Sequence, residues 1–223
     1  MKRALLFALS LVILSPEISH GQRLTPKTSF VLNLDYARFF YNDTTGYVEI
    51  YYAFYPRLVS YVMNDNKYSG YISLRTRIMN KATSQYLTND RAVLPLTVLD
   101  TTDRALGNTF VTQMGYALPY GEYVLSVFAR DSLDESRGDS VTLPLSIGSF
   151  TAGVHISDME LCSNIKNSDQ KSDPFYKNSF ETIPNPSLVF GSATNPVVFT
   201  YAEFYNLDKE ATYLVKTRIV DAS

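Results

Sequence analysis

Polar and apolar side chains alternate along much of this chain with a period of two. From Tyr47 to Tyr55 one parity reads Val48, Ile50, Tyr52, Phe54 and the other Tyr47, Glu49, Tyr51, Ala53, Tyr55. Side chains two apart on an extended chain share a face, so the spacing predicts a half-buried strand with the first set inward and Glu49 outward. The same alternation over Gly70 to Asn80 places Ile72, Leu74, Thr76 and Ile78 inside, with Ser73, Arg75 and Arg77 outside. Both read as strands of an antiparallel sheet with one covered face. Helical periodicity is absent from Phe30 onward, and 17 Tyr and 13 Phe add the aromatic content that strands favour.

Turn-forming clusters separate these strands at short intervals, at Asn42 to Gly46, Asn64 to Lys67 and Asp134 to Asp139. Pro119-Tyr120-Gly121-Glu122-Tyr123 leads into a strand that begins with Tyr, as at the corner before the penultimate strand of immunoglobulin-like sandwiches. Tyr123, Leu125 and Val127 are expected to face the core, with the tyrosine hydroxyl bonding back across the corner. Val141 to Ile147 closes the unit, and Pro144 requires an edge or a bulge because it lacks a ladder donor. Strands near residues 30, 47, 71, 92, 109, 123 and 141 fill one sandwich.

A second, similar unit follows. Val48-Glu49-Ile50-Tyr51-Tyr52 has a counterpart in Ala202-Glu203-Phe204-Tyr205-Asn206, and Thr76-Arg77-Ile78 in Thr217-Arg218-Ile219. The expected fold is all-β: two consecutive immunoglobulin-like antiparallel sandwich units, residues 22–148 and 149–223, the second incomplete. In that second unit Val154 to Leu161 and Leu188 to Phe190 are expected strands, and Ser163 to Lys171 a loop. Ile183-Pro184-Asn185-Pro186-Ser187 forms a turn, and Asn195-Pro196 opens the strand carrying Glu203.

Ahead of both units, Met1 to Gly21 has the layout of a secretory signal: Lys2 and Arg3, an apolar run from Ala4 to Leu14, then Ser19-His20-Gly21. That run is too short to span a bilayer as a helix. The expected product is exported, to the periplasm, the cell surface or the medium, without a membrane span. Of 20 basic and 22 acidic residues, Lys2, Arg3 and Glu17 fall in the signal, leaving a formal charge of −3. That balance argues against nucleic acid as a partner. Cys162 stands alone, so no internal disulfide forms and the thiol is expected to be a small buried hydrophobe.

The segments YVEIYYAF (47–54), PYGEYVLSV (119–127), HISDMEL (155–161), IPNPSLVF (183–190) and FTYAEFYNL (199–207) together resemble the N-terminal and middle region of bacterial GWxTD domain-containing proteins. PNPS followed by YAEFYNL is the most specific element. Those proteins carry a further C-terminal domain named for a Gly-Trp-x-Thr-Asp motif; this sequence contains no Trp, so that domain is expected to be absent. The resemblance implies an architecture and an exported compartment, and it transfers no catalytic residue.

Candidate chemistry is sparse. His155 is the only histidine outside the signal, no Gly-x-Ser-x-Gly elbow accompanies it, and its spacing to Cys162 fits no zinc pattern. Glu49 and Glu203 occupy equivalent repeat positions, which should hold them apart in separate units, unlike the close carboxylate pair of glycosidases. Each is expected to pair with an outward arginine such as Arg75 or Arg77. Asp100 with Asp103, and Asp131 with Asp134 and Glu135, are acidic turns outside the EF-hand pattern. Arg137-Gly138-Asp139 reads as turn residues rather than an adhesion motif. Tyr47, Tyr51, Tyr55 and Tyr71 fall on outward parities and form a candidate contact strip for a partner or a sugar. No catalytic residue, metal or cofactor is expected. The leading expectation is a non-enzymatic structural or interaction module whose protein partner pairs with open strand edges of the second unit. A carbohydrate-binding accessory domain is the alternative, and a glycoside or peptide hydrolase has the least support.

Overall fold

The structure is a computed structural model that describes residues 23–102, 106–150, 153–193 and 195–220; the expected signal, Met1 to Gly21, and Asp103 lie outside them. The N-terminal part contains β1 (Arg23–Leu24), β2 (Leu32–Asn42), β3 (Thr45–Phe54), β4 (Tyr61–Asn64) and β5 (Lys67–Asn80). It continues with β6 (Tyr86–Val98), β7 (Phe110–Pro119), β8 (Gly121–Asp131) and β9 (Asp134–Ile147). A three-stranded sheet, β2-β3-β7, faces a six-stranded sheet in which β5 pairs with β4 and β8 on one side and β6 on the other. All pairings are antiparallel.

The alternation decides what lies between the sheets. Val48, Ile50, Tyr52 and Phe54 from one sheet meet Ile72, Leu74, Ile78, Tyr123, Leu125 and Val127 from the other in one continuous core. Thr76 is the one polar member of the inward set, and its hydroxyl meets the Tyr52 hydroxyl at 2.9 Å. Pro144 lies on β9, the edge of its sheet, where no ladder donor is needed. The Tyr123 hydroxyl donates to the Pro119 carbonyl at 2.7 Å, closing the expected corner.

Asp131 is fully buried at the end of β8. Its carboxylate accepts from the Ser60 N–H at 2.7 Å and the Leu133 N–H at 3.0 Å, and faces Arg137 at 3.6 Å. Arg137 donates to the carbonyls of Pro26, Thr28 and Leu58, while Asp139 accepts from the Leu32 N–H. The Arg-Gly-Asp residues therefore lie within β9, and their charged ends tie neighbouring segments to the sandwich.

The C-terminal part forms smaller sheets. β10 (His155–Ile156) pairs with β15 (Phe204–Tyr205). β11 (Glu160–Asn167), β12 (Tyr176–Lys177), β13 (Phe180–Pro184) and β14 (Phe199–Tyr201) form a sheet in the order β12-β13-β11-β14. Several expectations change here: Ile183 and Pro184, expected in a turn, are ladder residues of β13, and Glu203, expected on a strand, lies between β14 and β15. The segment 154–161 divides between β10 and β11. Half of the expected 163–171 loop is strand, because Lys166 and Asn167 find ladder partners in Glu181 and Phe180. Residues 188–190 form no strand: Asn185 closes a turn, accepting from the Leu188 N–H and donating to the Val189 carbonyl. Thr217-Arg218-Ile219 has no pairing partner and no strand, unlike Thr76-Arg77-Ile78 in the middle of β5.

Tyr123→Phe keeps the ring in the core and leaves the Pro119 carbonyl without its donor. Urea unfolding is expected to show a loss of about 1 kcal/mol with an unchanged denaturant slope.

Candidate functional site

The outward parity of β3 is outward from the first core but not exposed. The C-terminal sheets lie across it, so Tyr51 keeps only 1% of its surface and packs with Ala37 and Phe39 in a second cluster that Tyr47 and Tyr201 complete. In the β2–β3 register Ala37 lies opposite Glu49 and Phe39 opposite Tyr47. On the far side of β3, Gly115 lies opposite Glu49; a Cβ there would fall 1.8 Å from the Tyr47 hydroxyl. The glycine thus leaves room for the Tyr47 ring to lie over the sheet.

Lys177, from β12, enters this layer. Its ammonium pairs with both Glu49 on β3 and Glu160 on β11, and donates to the Tyr51 hydroxyl at 3.2 Å, which in turn donates to Glu49 at 3.0 Å. The rings of Phe39, Tyr51 and Tyr201 surround the same nitrogen at 5.1, 5.1 and 5.5 Å. One cation serves two carboxylates, and Glu160 Oε1 is buried without a hydrogen-bond partner. Burial raises the Glu160 carboxyl above its ordinary value despite Lys177. Burial, followed by the charges of Glu160 and Glu49, also pushes the Tyr51 hydroxyl up. Cys162 is fully buried nearby, and burial with the Glu160 charge raises its thiol.

Further ties connect the two parts. Arg38 grips Asp158 with two bonds, Nε at 2.6 Å and Nη2 at 2.9 Å, and donates to the Ser146 carbonyl at 2.7 Å. Asp158 in turn receives the Arg38 N–H and gives its own N–H to the Arg38 carbonyl. The hydrogen bonds with Asp158 hold Arg38 firmly charged. Phe40, Phe150, His155 and Tyr205 add an aromatic group with centroids 5.5–6.5 Å apart.

Between the parts lies a cleft of about 440 Å³, walled by Phe40, Tyr41, Tyr47 and Tyr176, with Glu49 and Glu203 both on its lining. The two glutamates expected to be far apart therefore share one cavity, because the C-terminal part folds back onto the outer face of β3. Glu203 lies where the chain leaves β14 and enters β15, between two sheets. Its carboxylate accepts from Tyr201 at 2.6 Å, Tyr205 at 2.7 Å and Asn178 at 2.8 Å. Neither glutamate pairs with Arg75 or Arg77, which lie on the other sheet: Arg75 donates to Asn89 and Arg77 to Tyr86. Chemically, the cleft offers aromatic walls and carboxylates already engaged as acceptors.

The four strip tyrosines do not form one surface. Tyr51 is buried, Tyr47 walls the cleft stacked against Tyr41 at 6.2 Å and 25°, Tyr55 lies beneath Arg57, and Tyr71 is exposed on the other sheet. Lys177 and Glu160, which organise the interface, were missed from sequence because nothing local marks a lysine as a buried partner. One signal was present: tyrosine flanks each repeated glutamate at two residues' distance, Tyr47 and Tyr51 about Glu49, Tyr201 and Tyr205 about Glu203. In each copy the following tyrosine donates to its glutamate. Among the described residues no group of His, Cys, Asp and Glu is arranged to hold a metal ion, and no helix is long and apolar enough to cross a membrane.

A second concavity, of about 810 Å³, opens on the C-terminal part beside edge strand β14. Ile156, Met159, Leu161, Val198 and Phe204 line it, and Val215 to Ile219 run along it without strand pairing.

No known protein family and no curated protein matches the chain. Among solved structures, a Bacteroides fragilis protein assigned as a beta-galactosidase aligns at TM-score 0.34 and 11% identity, over 52% of this chain and 16% of that one. A Bordetella pertussis protein assigned as ApaA aligns at TM-score 0.33 and 10% identity, over 57% of this chain and all of the other. Likenesses this low carry no argument about activity.

Lys177→Met strands two carboxylates and is expected to cost about 3–5 kcal/mol in urea unfolding, with Glu49→Gln and Glu160→Gln added together restoring much of it. The raised Glu160 carboxyl means that the folded chain keeps a proton the unfolded chain releases near pH 4.5. That contribution is full at lower pH and fades as pH rises through the folded value. Glu160→Gln should remove this downward slope when stability is compared across about pH 4 to 8.

Proposed function

We propose that the chain is a non-enzymatic, exported interaction module that accepts an extended segment of a partner protein in the groove beside β14. The carrying observation is that apolar groove along an unfilled sheet edge. Met159, Val198, Phe204 and Ile219 are all exposed there, and the outer ladder positions of β14 face no neighbouring strand among the described residues. An added strand would pair with that edge while its alternate apolar side chains fill the groove. Lys216 and Arg218 line the same groove, so the segment that fits best alternates apolar residues with carboxylates. The signal segment and the resemblance to GWxTD domain-containing proteins support the exported compartment, and the engaged state of Glu49 and Glu203 supports a role without catalysis.

The reading predicts that a partner recovered from the exported fraction binds the full chain but is lost on the surface change Met159→Glu with Phe204→Glu. Amide exchange should then show protection over residues 199–205 and over an extended stretch of the partner. Capture undiminished by the double variant, protection elsewhere, or turnover of glycosides or peptides by the purified chain would sink the proposal. Concentration-dependent dimerisation abolished by the same variant would replace the foreign partner with a second copy.

Carbohydrate binding keeps one specific support, the stacked Tyr41 and Tyr47 rings on the cleft wall. A glycan array read with wild type and with Tyr41→Ala plus Tyr47→Ala tests it: binding is expected only for wild type, and equal signals reject the cleft as a sugar site.

A further inference from the structure

Four arginines converge on the outer face of the six-stranded sheet, far along the fold from the groove and the cleft. Arg75 and Arg77 project from β5, Arg91 from β6 and Arg130 from β8, and together with Ser73 and Phe128 they line a depression of about 330 Å³. Register brings them together: Arg75 lies directly opposite Arg91, and Arg130 opposite Ser73. Like charges directly opposed across two strands destabilise a sheet. The chain has acidic residues in excess, yet among the described residues none of these four guanidiniums forms an ion pair. Arg38 and Arg137, by contrast, both reach carboxylates.

The cluster is also partly built. Arg77 is clamped between the rings of Phe128, at 5.0 Å, and Tyr86, at 5.4 Å, and its Nε is buried without a hydrogen-bond partner. Arg75 Nε is held by Asn89 at 2.9 Å, which leaves its terminal nitrogens free to turn outward. Arg91 and Arg130 are exposed on either flank. Fixed guanidinium forks bind oxyanions with paired hydrogen bonds, and aromatic stacking lowers the cost of holding them in place.

We propose that this face is a binding site for a small ligand carrying two or more tetrahedral oxyanion groups, phosphate or sulfate. The size follows from sheet geometry: three adjacent strands span about 10 Å and residues two apart on one strand about 7 Å, wider than a single such group. A tetrahedral oxyanion accepts bonds from several directions, which suits forks arriving from three strands. A planar carboxylate would satisfy one fork and leave the others opposed.

Isothermal titration of the full chain with inorganic pyrophosphate, and separately with a trisulfated heparin disaccharide, tests the site and tells the phosphate source from the sulfate source. At least one is expected to bind saturably, with one ligand per chain and an affinity that falls as salt rises. Arg75→Gln with Arg91→Gln should weaken it at least about tenfold, since two charge-assisted contacts are lost. The exposed Arg57→Gln, outside the cluster, should leave binding unchanged. The double variant relieves a repulsive pair, so its melting temperature should equal or exceed that of wild type, which separates loss of the site from loss of the fold. Failure of both ligands to bind, binding that survives the double variant, or equal weakening by Arg57→Gln would overturn the proposal. So would tighter binding of a single-stranded oligonucleotide than of either small ligand, since that marks an extended polyanion track.

Discussion

A single buried ammonium sets the relation between the two halves of this chain. Lys177 leaves water to meet Glu49 from the first sandwich and Glu160 from the C-terminal sheet, inside a ring of Phe39, Tyr51 and Tyr201. A buried ion pair is a poor source of net stability, because desolvation offsets most of the attraction, but removing one partner is costly. The apolar contacts of Ala37, Phe39 and Tyr51 supply the gain in burial, while the charges accept only one register of the two surfaces. An arrangement slipped along β3 would keep the Lys177–Glu160 pair, which lies within the C-terminal sheet, but would leave Glu49 without its cation. The back-folded C-terminal part, the inter-unit cleft and the exposure of the β14 edge all follow from that register.

The molecule thereby presents three surfaces of different chemistry. The cleft is aromatic, with its carboxylates engaged by Tyr51, Lys177, Tyr201, Tyr205 and Asn178. The groove beside β14 is apolar and flanked by an unfilled sheet edge, a combination that favours an incoming strand. The outer face of the six-stranded sheet is cationic although the chain as a whole is acidic.

Local alternation and turn chemistry determined the first sandwich. The inward parity of β3, β5 and β8, the edge position of Pro144 and the Tyr123 corner could all be read because each depends on neighbours within a strand or one turn away. The second part was less legible. Its strands are two to eight residues long, too short for a period of two to stand out, and their existence depends on ladder partners. Asn185 closes a turn over 186–187 that leaves 188–190 outside any ladder, and Lys166 and Asn167 become strand only because β13 lies beside them.

The sequence by itself determined an all-β antiparallel chain, and it determined which side of each long strand turns away from the first core, because side-chain parity is a property of the strand. Only the tertiary structure decided what that other side meets. Outward on β5 means exposed, so Arg75 and Arg77 gather with Arg91 and Arg130 on an open face. Outward on β3 means buried, so Glu49 and Tyr51 belong to a second interior and Glu203 arrives in the same cleft. The physical reason is that parity fixes a direction, while burial depends on which distant segment packs there. Here that segment brings charges matched to the first sandwich, Lys177 to Glu49 and Asp158 to Arg38, 128 and 120 residues apart in the chain.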